Sequence, residues 1–422
     1  MKVLWFTNIM LPRVAGELGK TAYEVGGWLV GLSDSLLQSG EVELTVASPA
    51  LGERALISGK VDTLSYFGFP WKVLRADKYD PKAEAYAETI IMQTTPDIVH
   101  VFGTEFPHTL AVVNTCEKLG IIDKVVVNIQ GLTSVYYKHY YAGLPHSVTN
   151  SYTFKDLVLR RNIRQQRKSF LRRGKYEIEA LQKVQHVAGR TDWDKACTSQ
   201  VNPYVQYHLC NETLRGEFYR HNWDIEKCER FSIFLSQAGT PIKGLHFVIE
   251  ALPEIIKRYP DTHLYIAGKD IIKTDSLRAK AEIGSYGVYI RRLIERYNLR
   301  EKVTFTGKLN EKSMCERFLK SHVFVSPSAI ENSPNSVGEA MLLGVPVISS
   351  DVGGVKNLLA HNEDGIIYQH DAPYMLAHYV CKLFADDETA LKFSGNAKRR
   401  AAVTHSREKN LRDVLRIYNE IG

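Results

Sequence analysis

Short runs of β-branched and aromatic residues alternate with amphipathic stretches over most of the chain. This alternation is typical of parallel β-sheets whose strands are joined by crossover helices. In the N-terminal half it predicts strands at 3–7, 42–47, 98–102, 125–129 and 186–189, and helices near 21–38, 83–94, 108–118 and 156–182. Later in the chain it predicts strands at 232–236, 263–267, 303–306, 323–326, 347–349 and 365–368, and helices at 245–258, 311–320, 335–343, 373–384 and 408–420.

An interruption of this pattern divides the chain. Residues 202–230 are polar and aromatic without a clear period, and a length of 422 residues suits two or three domains. The predicted fold class is α/β, with two doubly wound Rossmann-like domains facing a cleft. The predicted bounds are an N-terminal domain at 1–205, a linker at 206–230, a C-terminal domain at 231–395 and a final helical segment at 396–422 that can pack back on the N-terminal domain.

Composition narrows the class of protein. Hydrophobic residues make up 44% and charged residues 24% of the chain, as in soluble globular proteins. No apolar run reaches the ~18 residues of a membrane-spanning helix, and residues 3–7 suit a first strand better than a signal peptide. The six cysteines show neither a disulfide framework nor a zinc-binding spacing. We therefore expect a cytoplasmic protein with no metal site.

The net charge of +7 is concentrated in one segment. Residues 155–175 contain nine Lys and Arg and one acid, so they carry +8 and the rest of the chain carries −1. Binding of nucleic acid by the whole surface is therefore not expected.

Helical periodicity places the charges of this basic segment on one face. That face carries Arg161, Arg164, Lys168 and Arg172, and Leu159, Ile163 and Phe170 fall nearly opposite. Such a face suits either solvent or an anionic membrane, which attracts basic helices. We keep both interpretations, the second implying a peripheral position at the inner face of the cell membrane.

Two nucleotide-binding classes are disfavoured. No predicted strand is followed by the Gly-x-Gly-x-x-Gly fingerprint, which argues against a nicotinamide dehydrogenase. The phosphate-binding sequence Gly-x-x-x-x-Gly-Lys-Ser/Thr of P-loop kinases is absent from the chain.

The most informative stretch is 326–341, where a strand, a loop and a helix follow one another. Backbone N–H groups of Asn335 and Ser336 open the predicted helix, where its dipole favours a phosphate. Glu339, one turn further, can accept hydrogen bonds from a vicinal diol such as ribose. Glu331 in the loop can meet the hydroxyl groups of a sugar beyond a diphosphate.

Lys243 occupies an equivalent place after another strand of the same predicted domain. A lysine there can neutralise a leaving diphosphate, and this stabilisation grows as the bond breaks.

These residues resemble a known family. The features that carry the resemblance are the Glu331-x7-Glu339 spacing, Pro334-Asn335, Gly344-Val-Pro-Val, Gly353-Gly354 and Lys243-Gly244. They are similar to glycosyltransferase family 4, the group 1 glycosyltransferases, which are retaining enzymes of GT-B architecture. The resemblance is strongest over 232–370 and extends to the N-terminal half through Gly26-Gly27-Trp28.

The resemblance implies a nucleotide-diphosphate-sugar donor bound by the C-terminal domain, with no essential cofactor. It implies a glycan or lipid-linked acceptor bound by the N-terminal domain, as in synthesis of cell-surface or capsular polysaccharide. Carried over by residue, Glu331 contacts the donor sugar, Glu339 the ribose and Lys243 the diphosphate. Gly27 lets backbone approach the phosphates, and Gly307 to Leu309 lie near the base.

Two positions depart from the family pattern. Ala238 stands where the family usually has an Arg, and Gln130 stands where many members have a His. We therefore expect another basic residue, for which Arg190 is the candidate, to assist Lys243. Gln130 can orient an acceptor hydroxyl but cannot be a general base, which suits a mechanism where the leaving phosphate takes the proton.

Further acceptor candidates are His100, Glu105 and His108, which we expect at a strand end facing the cleft. The Asp-x-Asp tripeptide at 192–194 is a chance match to a metal-binding motif in this interpretation.

Two alternatives remain open. A GT-B-type sugar-nucleotide epimerase shares the expected fold, and a catalytically inactive nucleotide-sugar-binding protein would fit the departures at Ala238 and Gln130.

Overall fold

The structure, a computed structural model, describes residues 1–20, 26–71 and 76–422, and this part of the chain forms two compact units. The N-terminal unit comprises Met1–Tyr137, Ser169–Arg215 and His405–Gly422. The C-terminal unit comprises Lys138–Lys168 and Gly216–Thr404.

Each unit contains one sheet. The N-terminal sheet consists of β1 (Lys2–Thr7), β2 (Glu43–Leu51), β3 (Ile57–Val61), β4 (Leu64–Trp71), β5 (Ile98–Phe102), β6 (Val125–Asn128), β7 (His186–Gly189) and β8 (Gln206–Leu209). Its order is β3-β4-β2-β1-β5-β6-β7-β8, parallel except for the antiparallel pair of β3 and β4. The C-terminal sheet consists of β9 (Glu229–Leu235), β10 (His263–Ile266), β11 (Val303–Phe305), β12 (Ser321–Ser326), β13 (Val347–Ser350) and β14 (Ile366–Tyr368). Its order is β11-β10-β9-β12-β13-β14, with parallel pairing throughout.

Helices connect these strands. They are α1 (Pro12–Glu17), α2 (Gly27–Ser39), α3 (Lys82–Thr94), α4 (His108–Lys118), α5 (Thr133–His139), α6 (His146–Thr149), α7 (Phe154–Leu159), α8 (Ile163–Lys183), α9 (Asp192–Val201), α10 (Leu245–Arg258), α11 (Leu277–Glu282), α12 (Ser285–Arg296), α13 (Glu311–Leu319), α14 (Asn335–Leu343), α15 (Val355–Leu358), α16 (Pro373–Ala385), α17 (Asp387–Thr404) and α18 (Arg407–Ile421). Short 3-10 turns lie at Ile122–Lys124, Gly216–Tyr219, Pro241–Lys243 and Arg300–Lys302. The division between the units falls within α5 and α8.

The parallel sheets are buried on both faces, as their nearly continuous apolar strands require. In β1, Trp5 belongs to one core cluster with residues of α2 and α18, whereas Phe6 belongs to a second cluster with residues of α3 and α4. The alternation of side chains along a strand produces these two layers.

The C-terminal helix α18 belongs to the N-terminal unit. Its Tyr418 hydroxyl accepts a 2.9 Å hydrogen bond from Trp5 Nε1 and lies 2.7 Å from His100 Nδ1. The predicted segment at 396–422 therefore splits, because α17 remains in the C-terminal unit and only residues 405–422 join the N-terminal unit.

The predicted boundary at residue 205 also differs from the compact units. Residues 138–168, here called the excursion, leave the N-terminal unit and pack in the C-terminal unit. Within that unit, buried His246 holds the excursion through Nε2, 2.7 Å from the carbonyl oxygen of Ala142. The carboxylate of Asp156 accepts a 2.9 Å hydrogen bond from the backbone N–H of Ser285, at the start of α12. Residues 206–230 are not simply a linker, since β8 joins the N-terminal sheet.

Other predicted elements differ in detail. The helix expected at 156–182 is broken, because Arg160 adopts φ of 49° and ends α7. Asn162 then exchanges side-chain-to-backbone hydrogen bonds with Gln165 as α8 begins. Strands β3 and β4 and the long helix α17 were not predicted. Positions 21–25 of the helix expected at 21–38 lie outside the described residues.

Candidate active site

The strand order of the C-terminal sheet defines where a ligand site is expected. The central strands β9 and β12 are neighbours, and the connections leave them toward opposite edges of the sheet. Ligands of doubly wound folds bind outside the carboxyl ends of strands at such a switch point. The loops after β9 and β12 carry Lys243 and Glu331, respectively.

The structure brings these two side chains together. Lys243 Nζ lies 2.5 Å from Glu331 Oε1, and the same oxygen accepts a 2.7 Å hydrogen bond from Ser328 Oγ. The exposed fractions of the side chains are 28% for Lys243 and 11% for Glu331. The pair is therefore largely shielded from solvent, yet a ligand can reach it and take the place of one of the two partners.

Glycine allows the two loops to approach. Gly244 has φ of 71°, and a Cβ there would lie 1.9 Å from the carbonyl oxygen of Pro327. Only a residue without a side chain fits this contact, which fixes Lys243 beside the loop after β12.

A second glycine holds the Glu331 backbone. Gly353 has φ of 50°, and a Cβ there would lie 1.8 Å from the Glu331 carbonyl oxygen. The next backbone N–H, of Gly354, donates a 3.2 Å hydrogen bond to that oxygen. The Gly353-Gly354 pair noted in the sequence thus positions Glu331.

Helix α14 begins directly after this loop. Pro334 is its N-cap, so Asn335 and Ser336 belong to the first turn, with their backbone N–H groups at the positive end of the helix dipole. The partial positive charge of this end attracts anions. Glu339 lies in the next turn and is buried.

A pocket of about 620 Å³ lies nearby in the same unit. Gly239 and Thr240 of the Lys243 loop line it, together with Gly307 and Lys308. The Gly307 carbonyl accepts a 2.8 Å hydrogen bond from the N–H of Gly268. Cationic residues in the wall are Lys155, Arg161, Lys269, Lys273 and Lys308, and acidic residues are Asp156, Asp270 and Glu282. Leu309 is partly buried and follows this wall.

Gly27, which the resemblance places near the donor phosphates, contacts an arginine in the structure. It is the first residue of α2, and a Cβ there would lie 2.2 Å from Cγ of Arg215. The glycine therefore makes room for Arg215 at the start of this helix. Arg215 was not among the predicted site residues. It is far from Gly27 in the sequence, so no local sequence pattern predicts their contact.

Arg190 is engaged inside the N-terminal unit. Its Nη1 lies 2.6 Å from Glu212 Oε2, and both side chains are buried. Gln130 Nε2 donates a 2.6 Å hydrogen bond to the other oxygen of Glu212. The expectation that Arg190 assists Lys243 conflicts with this arrangement, because Glu212 already neutralises the guanidinium. Glu212 was not predicted as a partner of Arg190, because no motif in the sequence around it indicates this role.

The two histidines predicted to contact the acceptor, His100 and His108, do not lie at an open strand end. His100 is the third residue of β5 and stacks on Phe102, with ring centroids 3.8 Å apart. His108 lies in an aromatic cluster with Phe69 and Trp71. Burial lowers the pKa of His100 to about 3 and that of His108 to about 4, so both are neutral near pH 7. The apolar surroundings explain this correction.

Glu105 does lie after β5, at the switch point of the N-terminal sheet beside β1. Asn8 Nδ2, just beyond β1, donates a 2.8 Å hydrogen bond to Glu105 Oε2. Burial, reinforced by the charge of Glu177, raises the pKa of Glu105 to about 7.

The Asp-x-Asp tripeptide has a structural role. Thr191 and Asp194 form a reciprocal capping box at the start of α9, and the Asp194 carboxylate also accepts from the Arg190 backbone N–H at 3.0 Å. Among the described residues, no group of three or more His, Cys, Asp or Glu could hold a metal ion.

The basic segment is not the single helical face that was predicted. Arg161 lies in the break between α7 and α8, and Arg172 pairs with Asp77 through Nε at 2.8 Å. Ile163 is buried as expected, but Leu159 is exposed. In the ranges 1–20, 26–71 and 76–422, no helix is long and apolar enough to cross a membrane.

Comparison with known proteins identifies the class. Residues 217–400 match the family model described as glycosyl transferases group 1, so this part of the chain is similar to that family. The resemblance noted from Glu331, Glu339 and Lys243 is thereby confirmed. A curated relative is the uncharacterized glycosyltransferase MJ1607 of Methanocaldococcus jannaschii, 26% identical over 200 residues, which are 47% of each chain. The chain spans about half the length of the curated relatives it matches.

Solved structures extend the likeness to the whole fold. Sucrose-phosphate synthase from Thermosynechococcus elongatus matches with a TM-score of 0.72 at 15% identity, over 100% of this chain and 99% of that one. The Anabaena protein HepE in complex with UDP-glucose matches with a TM-score of 0.69 at 14% identity, over 100% of both chains. At this identity the likeness shows the fold, and the predicted GT-B class of two α/β domains with parallel sheets is confirmed.

Proposed function

We propose that the protein is a retaining glycosyltransferase that moves a sugar from a nucleotide-diphosphate-sugar to a glycan or lipid-linked acceptor. The observation that carries this proposal is the 2.5 Å contact between Lys243 and Glu331 at the switch point of the C-terminal sheet. A cation for a diphosphate and a carboxylate for sugar hydroxyls are there placed side by side, directly before the α14 N-terminus.

The charges suit separation of a diphosphate from a sugar. As the bond between the anomeric carbon and the diphosphate oxygen breaks, negative charge develops on the leaving group. Lys243 and the first-turn N–H groups of Asn335 and Ser336 stabilise that charge. Glu331 holds the donor sugar through its hydroxyl groups, and Glu339 accepts from the ribose diol.

Retention requires the acceptor oxygen to bond to the face of the sugar that the diphosphate leaves. The leaving phosphate oxygen takes the acceptor proton in this proposal, so no protein base is needed. Catalysis is then positional and electrostatic. The departure from the family pattern at Gln130 is compatible with this scheme, because its amide can orient a hydroxyl without accepting a proton.

The remaining donor contacts are assigned by the same reasoning. The pocket beside Gly307 has the position and size for a nucleoside, and UDP-glucose bound to the Anabaena relative supports a uridine nucleotide as the first donor to test. Leu309 stays a candidate contact to the base. Gly27 stays a candidate near phosphate, with Arg215 replacing Arg190 as the assisting cation.

For the acceptor, Glu105 is a stronger candidate than His100 or His108, because it alone of these three lies at the strand end. We place the reaction in cell-surface or capsular polysaccharide synthesis at the cytoplasmic face of the membrane, where the basic segment 155–175 meets anionic lipid.

The test follows donor consumption. Purified protein is incubated with UDP-sugars, with and without a panel of glycan and polyprenyl-phosphate acceptors, and UDP and the sugar epimer are quantified. We expect UDP release that requires an acceptor, and a product with the donor's anomeric configuration. Epimer formation without acceptor would establish the epimerase alternative, and binding of UDP without turnover would establish the inactive one.

A further inference from the structure

The excursion exposes an unusual number of large apolar side chains. In α7, Phe154, Leu157 and Val158 are 67%, 62% and 63% exposed, and Tyr152 just before the helix is also exposed. Spacings of three and four residues place the first three on one helix face. Exposed contiguous apolar patches rimmed by polar residues commonly mark a surface that binds something.

The opposite face of α7 anchors it to the C-terminal unit. Asp156 is buried and bonds the Ser285 backbone N–H at 2.9 Å. Thr153 and Asp156 also form a capping box that sets the start of α7, and Arg160 ends the helix in the left-handed region. The apolar face is thus fixed outward by specific contacts.

Cations surround this face. Residues 152–168 contain six Lys and Arg and a single acid, Asp156, which is turned into the protein. The exposed cations are Arg160, Arg161, Arg164 and Lys168, and Lys155 is partly exposed. An apolar face with a basic rim complements an anionic bilayer, which offers acyl chains below a layer of negative headgroups.

We propose that the apolar face of α7 inserts into the interfacial region of an anionic membrane, with the exposed cations Arg160, Arg164 and Lys168 at the headgroups. This inference deepens the proposed membrane association and rests on it. It differs from the predicted face in two respects: apolar insertion supplies part of the affinity, and the docking element belongs to the compact unit that carries Lys243 and Glu331. The inner side of α7 also contributes Lys155 and Leu159 to the wall of the pocket beside Gly307.

The experiment measures co-sedimentation of the full chain with vesicles of phosphatidylcholine containing 30% phosphatidylglycerol, and with pure phosphatidylcholine vesicles. We expect binding to the anionic vesicles, weakened by 0.5 M salt. The triple variant Phe154→Ser, Leu157→Ser, Val158→Ser keeps every charge and should bind at least about tenfold more weakly, because it loses buried apolar area. The variant Arg160→Gln, Arg164→Gln, Lys168→Gln should lose the salt-dependent part of the binding.

A matched control is the triple variant Met92→Ser, Leu391→Ser, Val403→Ser, which removes exposed apolar residues elsewhere and should bind as wild type does. Wild-type protein that ignores anionic vesicles would overturn the proposal, as would an α7 variant that binds unchanged. A dimer that forms in the wild type and dissociates in the α7 variant, detected by sedimentation velocity, would also overturn the proposal, because a second copy would then cover the apolar face. UDP-sugar turnover with a water-soluble acceptor should persist in the α7 variant, so failure of membrane docking and failure of the proposed transferase are separately visible.

Discussion

The two sheets use charged residues in opposite ways. At the switch point of the C-terminal sheet, Lys243 and Glu331 have side chains that are 28% and 11% exposed. In the N-terminal unit, Arg190 and Glu212 form an equally short pair whose side chains are 4% and 5% exposed. Both pairs combine a cation with a carboxylate, but only the first keeps access to solvent.

This difference separates a pair that can take part in ligand binding from a pair that only stabilises the fold. A fully buried ion pair cannot give up a partner without leaving an uncompensated charge, which is costly. In a pair that keeps some access to solvent, either residue can give up its partner to a ligand at small cost. Solvent and the ligand then compensate the released charge. Burial therefore decides which of two chemically similar pairs is available for chemistry.

The largest expected effect is on catalysis at the open pair. Glu331→Ala or Lys243→Ala should lower turnover by about 10²–10³-fold or more, because each removes charge stabilisation from the reacting group. The circular dichroism spectrum should stay unchanged, since Lys243 is partly exposed and Glu331 lies in a loop outside the helices and strands. Glu316→Ala and Lys227→Ala serve as controls, as these exposed side chains lie outside the proposed site. Unchanged turnover in either site variant would remove that residue from the active site.

The second prediction concerns the buried pair of Arg190 and Glu212. Arg190→Met should lower the free energy of unfolding by about 3–5 kcal/mol, because it removes the cation that neutralises the buried Glu212 carboxylate. Urea unfolding monitored by tryptophan fluorescence measures this change. The double variant Arg190→Met, Glu212→Leu should recover much of the loss. A stable Arg190→Met protein with weakened UDP binding would instead restore Arg190 to the donor site.

The contrast between the pairs also shows what sequence reasoning could reach. The Lys243 and Glu331 loops follow buried strands of one parallel sheet, and the carboxyl ends of such strands share an edge, so their proximity was predictable. Arg190 and Glu212 stand 22 residues apart with β8 between them, and their pairing depends on how that strand returns to the sheet. No pattern of residue spacing in the sequence predicts such a contact.

The fold shows the same limit. Helix α10 and strand β5 have the predicted bounds, because an amphipathic stretch or a buried apolar run defines each locally. The pair β3 and β4 was missed, since Gly59 and Gly68 interrupt the apolar pattern of an antiparallel edge. The docking of the excursion involves His246, which lies 104 residues beyond its partner Ala142, and no local sequence pattern predicts this contact.

The smallest predicted effect concerns the N-terminal switch point. The pKa of Glu105 is raised from 4.5 to about 7, mainly by burial. The folded state therefore holds a proton between these values that the unfolded state releases, and wild-type stability falls as pH rises through this window. Glu105→Gln lacks the titration, so it should be more stable than wild type at pH 8 and nearly equal at pH 4.5.

Urea unfolding at both pH values measures that difference. Gln at this position can still accept from Asn8 through its carbonyl oxygen, so the comparison isolates the charge. A stability difference between variant and wild type that does not change with pH would show that burial does not raise the pKa of Glu105.

Titration of UDP against the melting temperature shows whether the open pair after β9 and β12 holds the diphosphate of the donor, because a ligand that binds only the folded state raises that temperature. UDP should raise the melting temperature of wild type and of Glu105→Gln equally, and Lys243→Ala should need a UDP concentration at least about tenfold higher for the same rise, corresponding to about 1.4 kcal/mol. An identical titration curve for Lys243→Ala and wild type would show that Lys243 does not hold the diphosphate.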